Sequence, residues 1–406
     1  MVPENWSATT LGAITKESAF GPRFSSDLYS VDGNVGTIRT TDLDDEGNIN
    51  YDTIPYASLP SGFESHYLDD GDLLITRSGS CGIPCIFESQ DKPIVAGAFL
   101  IRFVLKENTD VKYVHALLKS DKLQRKIQNL ASGGVQKNLS GTNLKKLEFV
   151  LPPLPEQKKI AQILSTWDQA ITATERLLEN SQQRKKGLMQ QLLTGKKRLP
   201  GFEGEWETTK VGKICKLGAG QSAPQGEDFF DKGIHDFLRV SDIGSSAGRF
   251  APVSRDKIND RAVQEKRLSK VPAGATVFTK SGASLLLNQR AQLKTDTYIV
   301  SHLGFALGTE LSDDDFIYYL FCLIDFGKIA AGTSLPALQL STLSQIKVTV
   351  PTQKQEQNAI AQILGVADQE IERIRKRLLL LKQEKQALMQ QLLTGKRRVQ
   401  VDTEAA

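Results

Sequence analysis

The sequence is short of the residues that do chemistry unaided. It holds four cysteines and four histidines in 406 residues. Cys81, Cys85, Cys215 and Cys322 lack the paired spacing of a metal site. Their scarcity fits a reducing cytoplasm better than a disulfide-stapled secreted fold. Apolar runs such as residues 378–381 fall far short of a membrane span. Residues 1–10 are polar and carry Pro3 and Trp6, so no signal peptide is read there. Catalytic loops are missing as well. Adenine methyltransferases hold a flipped base with an Asn/Asp-Pro-Pro-Tyr/Phe loop, whereas the one Pro-Pro here lies in Leu151-Pro152-Pro153-Leu154, with no polar group to hold an amine. Gly218-Ala219-Gly220-Gln221-Ser222-Ala223 loosely matches a dinucleotide loop but runs into Pro224 instead of a helix. No Pro-Asp pair of the nuclease kind occurs. The net charge of +4 permits a nucleic-acid partner without requiring one.

What is present is repetition. Residues 156–164 read EQKKIAQIL and residues 356–364 read EQNAIAQIL; LMQQLLTGK stands at both 188–196 and 388–396. Trp6, Gly12 and Ile14 recur as Trp206, Gly212 and Ile214, and Arg39-Thr40-Thr41-Asp42-Leu43 recurs as Arg239-Val240-Ser241-Asp242-Ile243. Leu74-Ile75-Thr76-Arg77-Ser78-Gly79 has a twin in Val277-Phe278-Thr279-Lys280-Ser281-Gly282. A period of about 200 residues is too long for a solenoid, so the chain reads as two similar domains, each followed by the same helical element.

Both helical elements carry a heptad pattern. The seam comprises Ile160, Leu164, Trp167, Ile171, Leu178 and Leu188 in the first copy, and Ile360, Leu364, Ile371, Ile374, Leu378, Leu381 and Leu388 in the second. An apolar period of 3.5 residues held over five heptads is a coiled-coil signature. Lys185 and Lys385 interrupt it at equivalent places, where a polar residue can fix register. Pro155-Glu156 suits a first helical turn, and Thr352 with Gln355 resembles a capping box. Gly195 and Gly395 suit the left-handed stop that ends a helix, with the basic residues 196–198 and 396–398 following. Chain order makes the two helices run in opposite directions, pairing over roughly 57 Å at 1.5 Å per residue, with one domain at each end.

The expected architecture is mixed α/β (α+β): two globular domains at 1–150 and 199–349, separated by a long antiparallel two-helix coiled coil. Its helices occupy 151–198 and 350–398, and residues 399–406 form a tail. Strands are expected at 73–76 and 98–104, and helices at 111–129 and 313–330. Between the shared landmarks the two halves diverge strongly.

Several pieces carry a family resemblance. Leu151-Pro152-Pro153-Leu154-Pro155-Glu156-Gln157 leads into the first helix. Leu192-Leu193-Thr194-Gly195-Lys196 ends it, and Leu199-Pro200-Gly201-Phe202-Glu203-Gly204-Glu205-Trp206 bridges the halves. With Gly71-Asp72-Leu73-Leu74 before Arg77-Ser78-Gly79, they make the chain resemble the specificity subunits of type I restriction enzymes. Gln353-Lys354 departs from the Leu154-Pro155 step. The resemblance implies a non-catalytic subunit with two target-recognition domains, each reading half of a bipartite site on double-stranded DNA. Its helices would dock two modification subunits, joined for cleavage by two restriction subunits. Cofactors (S-adenosylmethionine, ATP and Mg) would lie on those partners, with none and no metal on this chain. The implied site is cytoplasmic.

Candidate DNA contacts are Arg39, Arg77, Lys137, Asn138, Arg239 and Lys280. The cations stand at retained turns, and Lys137 and Asn138 belong to a Gly-rich polar loop at 132–138. For any one of them a solvated turn is an equally ordinary explanation. The basic residues Lys119, Lys122, Arg125 and Lys126 suit a merely soluble helix face. Two further functions stay open: a coiled-coil scaffold without DNA readout, and a self-sufficient DNA-modifying enzyme with unrecognised motifs.

Overall fold

The computed structural model describes residues 3–131, 138–245, 248–332 and 336–401. The chain divides into two compact units, Met1–Ala173 with Leu379–Ala406, and Thr174–Leu378. Among the described residues each contains three sheets of the same order and sense. In unit 1 a four-stranded antiparallel sheet runs Thr15–Phe20, Leu100–Leu105, Leu73–Thr76, Pro84–Ile86. Its counterpart in unit 2 runs Cys215–Ala219, Leu303–Gly308, Thr276–Thr279, Arg290–Gln292. A three-stranded mixed sheet (Tyr56–Ala57, Val35–Ile38, Ile94–Ala96) recurs as Asp256–Ile258, His235–Leu238, Tyr298–Ile299. The two-stranded pair Ser7–Thr10 with Glu148–Leu151 recurs as Trp206–Lys210 with Lys347–Pro351.

Local chemistry explains the elements. Leu73–Thr76 and Thr276–Thr279 are buried throughout because each is a central strand flanked on both sides. Asp110 and Asp313 cap the helices Val111–Lys119 and Asp314–Leu323 by accepting from the Tyr113 and Phe316 amides. The helix expected over 111–129 is broken at Ser120, whose extended backbone (φ −65°, ψ 141°) restarts it as Asp121–Leu130. The stretch 313–330 likewise ends its α-helix at Leu323, and a short 3-10 turn, Phe326–Lys328, follows.

The long helices are Leu154–Leu192 and Lys354–Leu392, 39 residues each. Each passes from one unit into the other. The seam positions are all buried or half-buried, whereas Leu177, Leu379 and Leu380, just off it, are exposed. In unit 1 the start of the first helix (Ile160, Leu164) shares a core with the end of the second (Leu392, Leu393). In unit 2 Ile360 and Leu364 share one with Leu192 and Leu193. The pairing is therefore antiparallel within each unit. The second helix begins at Lys354, which leaves Thr352 one residue too early to cap it; Gln353 stands at that place instead. Gly195 (φ 71°) and Gly395 (φ 68°) adopt the left-handed conformation that ends both helices.

Two polar devices recur. Glu156, buried at the start of the first helix, accepts from the Trp6 indole N–H at 3.1 Å and from the Arg398 guanidinium. Glu356 accepts from Trp206 at 3.3 Å and from Arg198 at 2.7 and 2.9 Å. The seam lysines are the second device: Lys185 pairs with Asp368 and Lys385 with Asp168.

These two ion pairs differ in worth. Asp368 is 17% exposed and also accepts from the Tyr319 hydroxyl at 2.6 Å, while Asp168 is 57% exposed. Removing either aspartate strands a half-buried ammonium, but Asp368 also leaves the Tyr319 phenol without its acceptor, whereas the solvent that reaches Asp168 screens its pair. Asp368→Ala is therefore expected to cost about 2–3 kcal/mol, discounted from a fully buried pair, and Asp168→Ala under about 1 kcal/mol. Urea denaturation of the two full-length variants reads the difference; equal losses would contradict it.

Candidate nucleic-acid interface

The Arg77 and Lys280 turns share one backbone frame. The Arg77 amide donates to the Phe99 carbonyl at 2.8 Å, and the Lys280 amide to the His302 carbonyl at 3.0 Å. Leu139 N–H donates to the Arg77 carbonyl and Leu338 N–H to the Lys280 carbonyl, both at 2.8 Å. Ser78 bridges to Asn138, and Ser281 to Ala337. Gly79 (φ 74°) and Gly282 (φ 86°) turn the chain immediately after. The frame holds each cation, half-buried, at the end of a central strand beside the segment that precedes a short helix, Gly141–Lys145 or Leu340–Gln345.

Around that frame the side chains differ. In unit 1 the Arg77 guanidinium lies 4.5 Å from the Phe20 ring centre and donates to the Asn138 side-chain oxygen at 3.4 Å. The structure thus brings together two of the nominated residues, Arg77 and Asn138. Lys137 lies outside the described residues. In unit 2 Ser281 Oγ and His302 Nδ1 are 2.8 Å apart.

Arg39 and Arg239 sit elsewhere, at the ends of the strands Val35–Ile38 and His235–Leu238. Arg39 grips the buried Asp42 carboxylate with two nitrogens, at 3.0 and 2.8 Å, and donates to the Thr53 carbonyl. Hydrogen bonding to Asp42 holds its pKa above the ordinary arginine value. Arg239 pairs with Asp256, while Arg255 takes the equivalent place on Asp242 at 3.0 Å. Lys119, Lys122, Arg125 and Lys126 line a cavity of about 970 Å³ in unit 1, whose other wall includes Lys385 and Met389. Among the described residues no cluster of His, Cys, Asp or Glu is arranged to hold a metal, and no helix is long and apolar enough to cross a membrane.

A family model described as the type I restriction modification DNA specificity domain matches twice, at residues 3–180 and 203–383. The chain belongs to that family. It is a specificity subunit with two target-recognition domains, the non-catalytic part of a type I restriction–modification complex. A similar relative is the type I restriction enzyme MjaIX specificity subunit of Methanocaldococcus jannaschii, 24% identical over 356 residues, covering 81% of this chain and 78% of the relative. Among solved structures, the type I restriction–modification S subunit from M. genitalium aligns over 97% of this chain and 99% of its own, with TM-score 0.63 and 17% identity. A chain from a study of complex assembly and conformational transition of the type I R-M system aligns over 98% and 100%, with TM-score 0.60 and 16% identity. At these identities the likeness shows the shared fold.

Several residues of the specificity subunit escaped sequence reasoning. Phe20, Phe99 and His302 lie on no motif and become neighbours of the retained cations only through strand pairing. Asp168 and Asp368 stand 200 residues apart and were legible as a repeat. Their role was not, because an acid facing a seam lysine from another helix leaves no local signal.

Proposed function

We propose that this specificity subunit reads a bipartite double-stranded DNA site in the cytoplasm, one half per domain. The domains are taken as 1–150 and 199–349, and the helices as 151–198 and 350–398. Each helix pair docks a modification subunit, so two bind, and helix length sets the spacing between half-sites. Two restriction subunits join for cleavage, and S-adenosylmethionine, ATP and Mg reside on those partners. The observation that supports this best is the frame at Arg77 and Lys280: one backbone, one retained cation, and different chemistry around it. Arg77, Lys280 and the loop carrying Lys137 and Asn138 are the proposed contacts. Arg39 and Arg239 are kept as secondary contacts, since their guanidinium groups already hold local carboxylates.

A half-chain tests it. In unit 1 Leu388, Met389, Leu392 and Leu393 occupy the core place that Leu188, Met189, Leu192 and Leu193 occupy in unit 2. Because these residues are identical, residues 179–198 of a second copy can replace 379–398. The fragment 1–198 is expected to dimerise and, with modification subunits, to methylate a palindrome of the first half-site, since two-fold protein symmetry imposes two-fold site symmetry. Methylation of the native asymmetric site by that fragment would refute the reading.

A further inference from the structure

Residues that keep their place but change their chemistry mark where two copies of one reader diverged. Strand register fixes the correspondence. Thr76 pairs with Leu100 and Thr279 with Leu303; Phe20 pairs with Ile101 and Ala219 with Gly304. Gly21 N–H donates to the Leu100 carbonyl and Gly220 N–H to the Leu303 carbonyl. Leu100 N–H closes a tight turn on Gly97, and Leu303 N–H closes one on Val300. Phe99 therefore corresponds to His302, Phe20 to Ala219, and Asn138 to Ala337. Through the same frame Arg77 corresponds to Lys280, Ser78 to Ser281 and Gly79 to Gly282.

The split follows the physics of DNA reading. Phosphates are the same at every base pair, so a phosphate contact serves either half-site unchanged, whereas base contacts must differ between half-sites. We infer that Phe20, Phe99 and Asn138 in the first domain, and Ala219, His302 and Ala337 in the second, determine which bases each half accepts, with Arg77 and Lys280 beside them on the backbone. This rests on the DNA-reading function proposed above and locates it. Phe99 is 58% and Phe20 46% exposed, an unusual solvation of two rings, one lying against the Arg77 guanidinium and the other on the residue whose carbonyl holds the Arg77 amide. Such rings can contact a thymine methyl or wedge into a base step. His302 is exposed and offers a ring nitrogen in place of a hydrocarbon face. The neighbouring turn diverges too. Seven residues, 77–83, join the two strands in unit 1, and ten, 280–289, join them in unit 2, where Leu286 and Leu287 are exposed.

The test uses the full chain assembled with its modification subunits, acting on bacterial genomic DNA, with methylated positions mapped by sequencing. The native complex comes first; if it selects no bipartite site, the DNA-reading function fails and this inference with it. Given a native site, the triple variant Phe20→Ala, Phe99→His, Asn138→Ala is expected to keep the second half-site and to change the first at one or more positions. Discrimination at those positions should fall about tenfold or more. Arg77→Ala is expected to weaken methylation of all sites alike and to lower the salt slope of binding by about one. The proposal is overturned if the triple variant methylates the native first half-site with undiminished selectivity. If that variant is inactive, Phe99→His and His302→Phe decide: each must alter its own half-site alone, and retention of both halves by both variants overturns the proposal.

Discussion

A chain lengthened by one heptad in each long helix, near Thr174 and Ile374, is expected to stop methylating its native site. Seven residues keep the 3.5-residue seam in phase. The insertions also leave both ion pairs intact, because Lys185–Asp368 lies wholly in unit 2 and Lys385–Asp168 wholly in unit 1. Each unit keeps its core while the helix gains about 10 Å at 1.5 Å per residue. At about 34 Å per ten base pairs, that equals roughly three base pairs of additional spacer. DNA turns by about a third of a revolution over that length, so the longer site is bound with a twisting cost of about a few kcal/mol. Methylation of targets with spacers from the native length to four base pairs more gives the answer. An undiminished preference for the native spacing would show that the helices do not measure it.

Substituting the buried glutamates should bring the largest loss of stability. Glu156→Ala removes the acceptor shared by Trp6 and Arg398, and Glu356→Ala the one shared by Trp206 and Arg198. Each leaves a charge-assisted pair broken and an indole N–H without its acceptor, for an expected cost of about 3 kcal/mol. Glu→Gln at the same positions retains an acceptor and should cost about half as much. The effect has an address: Glu156→Ala should expose residues 396–401 to limited proteolysis, and Glu356→Ala residues 198–205. Thermal unfolding with peptide mapping separates the cases. A Glu156→Ala chain as stable and protease-resistant as the native one would remove the glutamate from its assigned role.

The long helices were legible because their signal is local and repeated: a seam at 3.5-residue spacing ended by Gly195 and Gly395. Sheet order was not, since the partner of Leu73–Thr76 in one direction is Leu100–Leu105, and nothing near residue 76 announces it. The break at Ser120 was also hidden, because apolar positions on both sides continue the helical period while one backbone angle leaves it. The candidate interface was half visible. Arg77, Lys280 and Asn138 belong to recognisable turns, but Phe99 and His302 are brought to them by backbone hydrogen bonds spanning 22 residues.

The Trp–Glu–Arg clusters also bear on how the chain is threaded. In unit 2 the arginine and tryptophan are joined by seven residues, 199–205, and the guanidinium carbon of Arg198 lies 5.9 Å from the Trp206 ring centre. In unit 1 the same separation, 5.9 Å, holds between Arg398 and Trp6, with no covalent path between them at that place. A linker of the length found at 199–205 spans either gap. The same cluster geometry is thus reached with a seven-residue connection in unit 2 and without one in unit 1. Closing one gap and opening the other would reverse the order in which the ribosome makes the two readers, at the cost of the contacts that 199–205 makes itself, such as the Arg198 bonds to the Phe202 and Gly204 carbonyls. Translation order and recognition order are separable in this molecule.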